Sequence, residues 1–366
     1  MARITAYLDY NATAPAKPGV ADAMTAAVTL GGNASSVHER GRSARRVIET
    51  ARTKLAAMTG ARAADIVFTS GGTEANRLAL NGTGRKHLLA SAIEHPSVIA
   101  HCRPENRVRV DASGRLDLAD LEHRLAGDGQ DALVSIMLAN NETGVIQPVA
   151  EAAAITHAAG ALLHCDAVQG LGKLPLDLAE LGADMVTVSA HKIGGPAGIG
   201  ALILRPGLAL ATNREAGGQE QGRRPGTENL AGIAGFDAAL DHVDTSLADR
   251  DRQQALRARL ETALDGMAVI FGAEAPRLAA TVCLAMPGVP SETQVMAFDL
   301  AGFCVSAGSA CSSGKVQASP VLAAMGIAPD LAGAAIRVSF GLETTEAEID
   351  AFASAWKQLY DRKQAA

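Results

Sequence analysis

The stretch Met185-Val186-Thr187-Val188-Ser189-Ala190-His191-Lys192-Ile193-Gly194-Gly195-Pro196 decides how the chain is read. Four apolar or β-branched residues, 185–188, predict a buried strand. The strand runs directly into a serine, a histidine and a lysine, and Gly194-Gly195-Pro196 then closes a tight loop. A lysine held there is partly withdrawn from water. Burial lowers an amine's pKa and makes it able to form a Schiff base. Ser189 and His191 beside it are candidate phosphate donors. Without its neighbours, Lys192 reads equally as a surface charge.

The same arrangement recurs outward in both directions. Strand character is found at residues 65–70, 87–94, 132–138, 161–165 and 201–204. Helical spacing appears at 43–58 (Val47, Ala51, Leu55, Met58), 118–125 and 149–159. Alternating strands and helices predict an α/β fold whose mostly parallel sheet is covered on both faces. In such sheets ligands sit beyond the carboxyl ends of the strands. Three further clusters lie at such ends. Ser70-Gly71-Gly72-Thr73-Glu74 opens a helix, where glycines, free N–H groups and the helix dipole suit an anion; it also reads as a glycine turn capped by Thr73. Asp166 ends the strand at 161–165, where an unpaired carboxylate is costly. A protonated ring nitrogen would be a partner for it, and a turn cap is the other reading. Asn140-Asn141-Glu142 can bind a carboxylate or form an Asx turn.

The 366 residues predict about two domains. The texture changes near residue 245, where a charged helix at 247–264 leads into a shorter α+β part with strands at 281–286 and 335–340. A final helix at 345–363 carries a Thr345/Glu348 capping box. The expected division is 15–245 for the large domain, with 1–14 plus 246–366 as the small one. The formal charge of −6 gives no pull toward phosphate backbones, so nucleic acid is not an expected partner. No apolar run is long enough to span a membrane, and residues 1–10 lack the pattern of a signal peptide; the expectation is a cytoplasmic protein.

Five cysteines without a C-x-x-C pair argue against a disulfide framework or structural zinc, and no metal site is expected. Cys311 differs from the others. Its surroundings, Ser306-Ala307-Gly308-Ser309-Ala310-Cys311-Ser312-Ser313-Gly314, are small and polar, which suits an exposed thiol kept for use and equally an incidental loop cysteine. Cys304, in Phe303-Cys304-Val305, is the rival and reads as packed. Arg337, within the strand at 335–340, needs a carboxylate if it points inward. A substrate carboxylate and an internal Asp or Glu are both candidates.

Together these residues resemble the cysteine desulfurases of the NifS/IscS type. The matching pieces are Tyr7-Leu8-Asp9-Tyr10-Asn11-Ala12-Thr13, Gly32-Asn33-Ala34-Ser35-Ser36-Val37-His38, Gly72-Thr73-Glu74, Glu94-His95, Asn140-Asn141-Glu142, Asp166 with Gln169, Ser189-Ala190-His191-Lys192, Arg224-Pro225-Gly226-Thr227-Glu228-Asn229 and Ser309-Ala310-Cys311. They stand in the family's order over nearly the whole chain.

The resemblance implies a fold-type-I enzyme using pyridoxal 5′-phosphate, active as a homodimer. It implies that Lys192 carries the cofactor, His95 stacks on its ring, Asp166 pairs with the ring nitrogen and Gln169 contacts the ring oxygen. Gly72, Thr73, Ser189 and His191 would cradle the phosphate, with Thr227 reaching it from the other subunit. Asn141 and Arg337 would hold the carboxylate of L-cysteine. Cys311 would take the sulfur as a persulfide and pass it to an acceptor protein such as an iron–sulfur scaffold. A selenocysteine lyase or an aminotransferase on the same fold would keep Lys192 and Asp166, and an aminotransferase has no use for Cys311. Ala197 and Ala216 depart from the family pattern without touching the chemistry. The chain also ends soon after its last helix, which leaves the acceptor open.

Overall fold

Seven strands form the main sheet of the computed structural model, which describes residues 6–127, 129–211, 217–308 and 319–364. Their order across the sheet is Ile66–Thr69, Gly200–Leu204, Met185–Ser189, Leu162–Asp166, Ala132–Met137, His87–Ser91 and Arg107–Val108. The last five pair in parallel, whereas Gly200–Leu204 runs antiparallel to both of its neighbours. Every residue of Ala132–Met137, Leu162–Asp166 and Met185–Ser189 is buried. Helices cover both faces, so these strands read as continuous apolar runs rather than as alternating ones.

The helix Glu39–Met58 begins before the spacing of its apolar residues suggests, because His38 accepts the Gly41 N–H at 3.3 Å and caps it. Its buried stripe is Ala44, Ile48, Ala51 and Leu55, which leaves Val47 and Met58 at the margin. Each Ile or Leu withdrawn there contributes about 1.5–3 kcal/mol of burial. The charged helix expected at 247–264 is instead two, Val243–Ala248 and Arg250–Ala263. They part at Asp249, whose carboxylate takes the Arg252 guanidinium at 2.7 Å and the Gln253 amide at 3.1 Å. An aspartate that bonds locally competes with the helix backbone.

A second sheet of four antiparallel strands follows, ordered Ser306–Ala307, Ala335–Ser339, Thr281–Ala285 and Val269–Phe271. A separate apolar cluster packs on it, with Phe298 and Trp356 stacked at 5.7 Å. The N-terminal strand Ala6–Tyr7 joins this second part through Phe303–Cys304. The closing helix, Glu346–Gln364, opens with the reciprocal bonds of a capping box: Thr345 N–H to Glu348 at 2.7 Å and Glu348 N–H to Thr345 Oγ1 at 3.2 Å.

One buried ion pair ties the Glu39–Met58 helix to a distant loop. Glu220 meets both terminal nitrogens of Arg52 at 2.8 Å and accepts the Phe68 N–H at 2.9 Å. Glu220 sits at φ 48, a left-handed conformation that costs a non-glycine residue energy. The three bonds to its carboxylate hold it there. Glu220→Ala leaves the buried Arg52 charge only the exposed Glu49 carboxylate at 3.3 Å and is expected to cost about 3 kcal/mol, measured by urea unfolding; a loss under 1 kcal/mol would show that water and Glu49 replace the pair.

Candidate active site

The strand ends converge on one cavity of about 470 Å³. Its lining includes Gly72, Thr73, His95, Asn141, Asp166, Gln169, Ser189, His191, Lys192 and Arg337, contributed by both sheets and the loops between them. Thr227 is exposed and stands apart from this cavity within the chain. Cys311 lies outside the described residues, but Ser306, Ala307 and Gly308 before it and Pro320 and Val321 after it line the cavity.

The anion end is built by the backbone. Ile66–Thr69 turns at Gly71, whose φ of 147 only glycine adopts readily, and the eleven-residue helix Gly72–Gly82 starts with no side-chain cap. A Cβ on Gly72 would meet Val168 Cγ2 at 2.8 Å, so the helix start must stay bare to pack there. Its first N–H groups are therefore left for a ligand. Ser189 Oγ beside it is buried and has no partner among the described residues. Burial, helped by Lys192 and Lys173, pushes His191 down to about 4, so its ring is neutral near pH 7. It shares a hydrogen bond with Thr13 Oγ1 at 3.2 Å through Nδ1.

Asp166 lies on the floor. Its carboxylate accepts from Asn76 Nδ2 at 2.7 Å and from the Val168 N–H at 3.0 Å. Asn76 also donates to Ser97 Oγ at 2.9 Å, and Ser97 Oγ lies 2.7 Å from His95 Nδ1. The Ser97 N–H donates to the same Nδ1 at 3.1 Å, so Nδ1 is the acceptor and the neutral ring carries its proton on Nε2. Burial lowers the His95 pKa, and Lys192 lowers it further against the pull of Asp166.

Lys192 is held by two backbone carbonyls, Asn11 O at 2.6 Å and Ala12 O at 2.8 Å, and among the described residues no carboxylate touches it. Burial and then the Arg337 charge bring its amine down from the usual lysine range to about 8. Arg337 itself points inward and pairs with Asp9 at 2.6 Å. The internal carboxylate is thus present, yet among the described residues Arg337 Nε has no partner and remains a buried donor. Its Nη1 donates to Asn141 O at 3.1 Å. Asn140, next to it, makes the Asx turn, accepting the Glu142 and Thr143 N–H groups at 2.9 Å.

The other described thiols are packed or poorly placed. Cys102, Cys165 and Cys283 are buried, and burial pushes all three thiols above the ordinary range. Cys304 is partly exposed and sits in a strand paired with Ala6–Tyr7.

Asn11, Asn76, Ser97, Glu94 and Lys173 carry much of this geometry and have no distinctive local signal. Asn11 and Glu94 stand inside motifs that the resemblance rests on, which was the one available clue.

Comparison with known proteins agrees with the geometry. Residues 6–352 match the model of the class-V aminotransferase family. A cysteine desulfurase of Gluconacetobacter diazotrophicus is 41% identical over 366 aligned residues, covering 94% of this chain and 90% of that protein. A cysteine desulfurase IscS of an Anaeromyxobacter species is 40% identical, covering 95% of this chain and 90% of the other. The solved NifS-like protein of Rickettsia africae superposes with a TM-score of 0.91 at 35% identity, covering 98% of this chain and all of that one. The chain belongs to the class-V aminotransferase family. It is an enzyme that depends on pyridoxal 5′-phosphate, and the cavity fits that group: a bare helix start and an orphan serine hydroxyl face an anion, while an enclosed carboxylate and a low-pKa lysine stand apart from them.

Only the free amine of Lys192 attacks a carbonyl, so cofactor capture by cofactor-free protein is expected to be half-maximal near pH 8. Arg337→Met removes a charge that lowers this pKa and leaves Asp9, which raises it, so the profile moves to higher pH. Borohydride trapping across a pH series reads the midpoint; an unmoved midpoint would remove Arg337 as a cause.

Proposed function

We propose that the chain is a cysteine desulfurase, converting L-cysteine to L-alanine and a Cys311 persulfide. The observation that carries this is the cavity that gathers Lys192, Asp166, His95 and Arg337 and is lined by Gly308 and Pro320, which stand before and after Cys311 in the sequence. Lys192 is the covalent anchor and the base, poised by a pKa of about 8 to give up and regain a proton near neutrality. Gly72, Thr73, Ser189 and His191 hold the phosphate, Asp166 the ring nitrogen and Gln169 the ring oxygen. His95 covers the ring, with its Nε2–H directed by the Ser97 bonds to Nδ1.

Bound in this way, pyridoxal phosphate supplies an electron sink that makes the substrate Cα–H acidic and weakens its Cβ–S bond. Lys192 takes the Cα proton. Arg337, through its unpartnered Nε, and Asn141 orient the substrate carboxylate. The Cys311 thiolate attacks the substrate sulfur, forming an S–S bond as the Cβ–S bond breaks. Protons returned to the carbon fragment complete L-alanine, so the sulfur leaves with the enzyme and no external oxidant is consumed.

In this reading the enzyme works in the cytoplasm as a homodimer, with Thr227 of one subunit reaching the phosphate of the other. The persulfide passes to an acceptor protein, such as an iron–sulfur scaffold. Residues 15–245 form the cofactor-binding domain, and 1–14 plus 246–366 form the smaller one. Two separate apolar clusters support that division. Among the described residues, no helix is long and apolar enough to cross a membrane.

Alanine and sulfide formed from L-cysteine under a reductant provide the test. Lys192→Ala should be colourless and lose at least about 1,000-fold in both products. Cys311→Ala should bind cofactor normally and lose sulfide release, while Cys304→Ala keeps it. Normal sulfide release by Cys311→Ala sinks the desulfurase reading.

A further inference from the structure

Lys173 is a second enclosed amine, and the mechanism above gives it no task. Its Nζ reaches two side-chain oxygens, Asn11 Oδ1 at 2.6 Å and Gln169 Oε1 at 2.5 Å. Among the described residues no carboxylate pairs with it. The charged groups that act on it are Lys192 and Arg337, both cations, and Lys17 lines the small crevice behind it. Burial, then Lys192 and Arg337, hold its amine well below the usual lysine range. Both of its acceptors are uncharged carboxamide oxygens.

The consequence falls on Gln169. A carboxamide is nearly symmetric in shape, so its neighbours decide which end is oxygen. Here the oxygen lies against Lys173, and Nε2 donates to Asn11 O at 3.0 Å. The flipped amide would set its oxygen against the Asn11 carbonyl oxygen. One N–H of Gln169 then remains for the cavity that this residue lines.

We propose that Lys173 is a positioning residue that clamps Gln169 and Asn11, so that the Gln169 amide donates to the ring oxygen of the bound cofactor. The clamp acts on both halves of the site. Asn11 O also accepts from Lys192, and Asn11 Nδ2 donates to Asn141 O at 3.1 Å, beside the substrate-binding Arg337. The inference rests on the assignment of Gln169 to the ring oxygen. A donor to that oxygen stabilises its negative charge and weakens its hold on the proton it shares with the Lys192 nitrogen.

The test compares Lys173→Met, which removes both donors, with Lys173→Gln, which keeps a neutral NH2 group. Two quantities are read: the pH midpoint of the visible absorbance change of the cofactor-loaded protein, and the affinity of cofactor-free protein for pyridoxal phosphate by equilibrium dialysis. Thermal melting of each cofactor-free variant separates a folding defect from a binding one. Lys173→Met is expected to raise the midpoint by about one pH unit and weaken cofactor binding about tenfold. Lys173→Gln should stay nearer to wild type in both, and it is the gentler change for folding. Wild-type values in Lys173→Met overturn the proposal, as does a loss in a folded Lys173→Gln as large as that of the Met variant.

Gln169→Leu separates the two assignments. A raised midpoint that Lys173→Met no longer adds to supports Lys173 acting through Gln169. An unmoved midpoint in Gln169→Leu overturns the Gln169 assignment and, with it, this role for Lys173.

Discussion

Asn11 is the joint on which the site depends, because each of its polar groups is hydrogen-bonded to a different part of the chain. Its N–H donates to Ser339 Oγ at 2.9 Å, and its carboxamide NH2 reaches Asn141 O and Thr281 Oγ1 at 3.1 and 3.0 Å. Its side-chain oxygen takes Lys173, and its backbone carbonyl takes Gln169 and Lys192. The second sheet, the Asn141 loop and the two lysines are thereby tied to one buried residue. Leaving any of these groups unpaired in the interior costs about 1–3 kcal/mol. The N-terminal segment therefore acts as a fixed wall of the cavity, and the lysine amine rests against backbone oxygen rather than against a carboxylate.

That choice of partner matters for the electrostatics. A carboxylate on Lys192 would hold its proton, whereas burial and the nearby Arg337 charge make the amine easier to deprotonate. Asp9 balances Arg337 directly, which permits an arginine on a buried strand without cancelling its effect on the lysine. On the opposite wall, Glu94 accepts the Met137 N–H at 2.6 Å and has its other oxygen unpartnered. Burial, with Asp166 adding to it, raises the Glu94 pKa well above the carboxylate range. That shift disfavours a second negative charge beside Asp166.

The Asn76–Ser97–His95 path shows how the polar groups share constraints. One carboxamide donates both to Asp166 and to the serine that fixes the histidine tautomer. Displacing it would disturb Asp166 and His95 together. Such shared donors make the geometry of the cavity rigid.

The sequence by itself determined the α/β class, the strands and the loops at their ends, because apolar periodicity and glycine punctuation are local properties. Lys192, Asp166, Thr73 and Ser189 could be singled out for that reason: each stands at or just beyond the end of a buried strand. The helix start at Glu39, the break at Asp249 and the buried stripe of the Glu39–Met58 helix were not, since caps and local side-chain bonds settled them. Arg337 could be read as needing a carboxylate, but the choice of Asp9, with Nε still free, required the fold. Tertiary structure alone decided the parts played by Asn11, Asn76 and Lys173. Asn11 meets Lys173 from 162 residues away and Asn76 meets Asp166 from 90 residues away. An asparagine or a lysine carries no local mark of the partner it will meet; only the packing that removes water from it makes that partner obligatory.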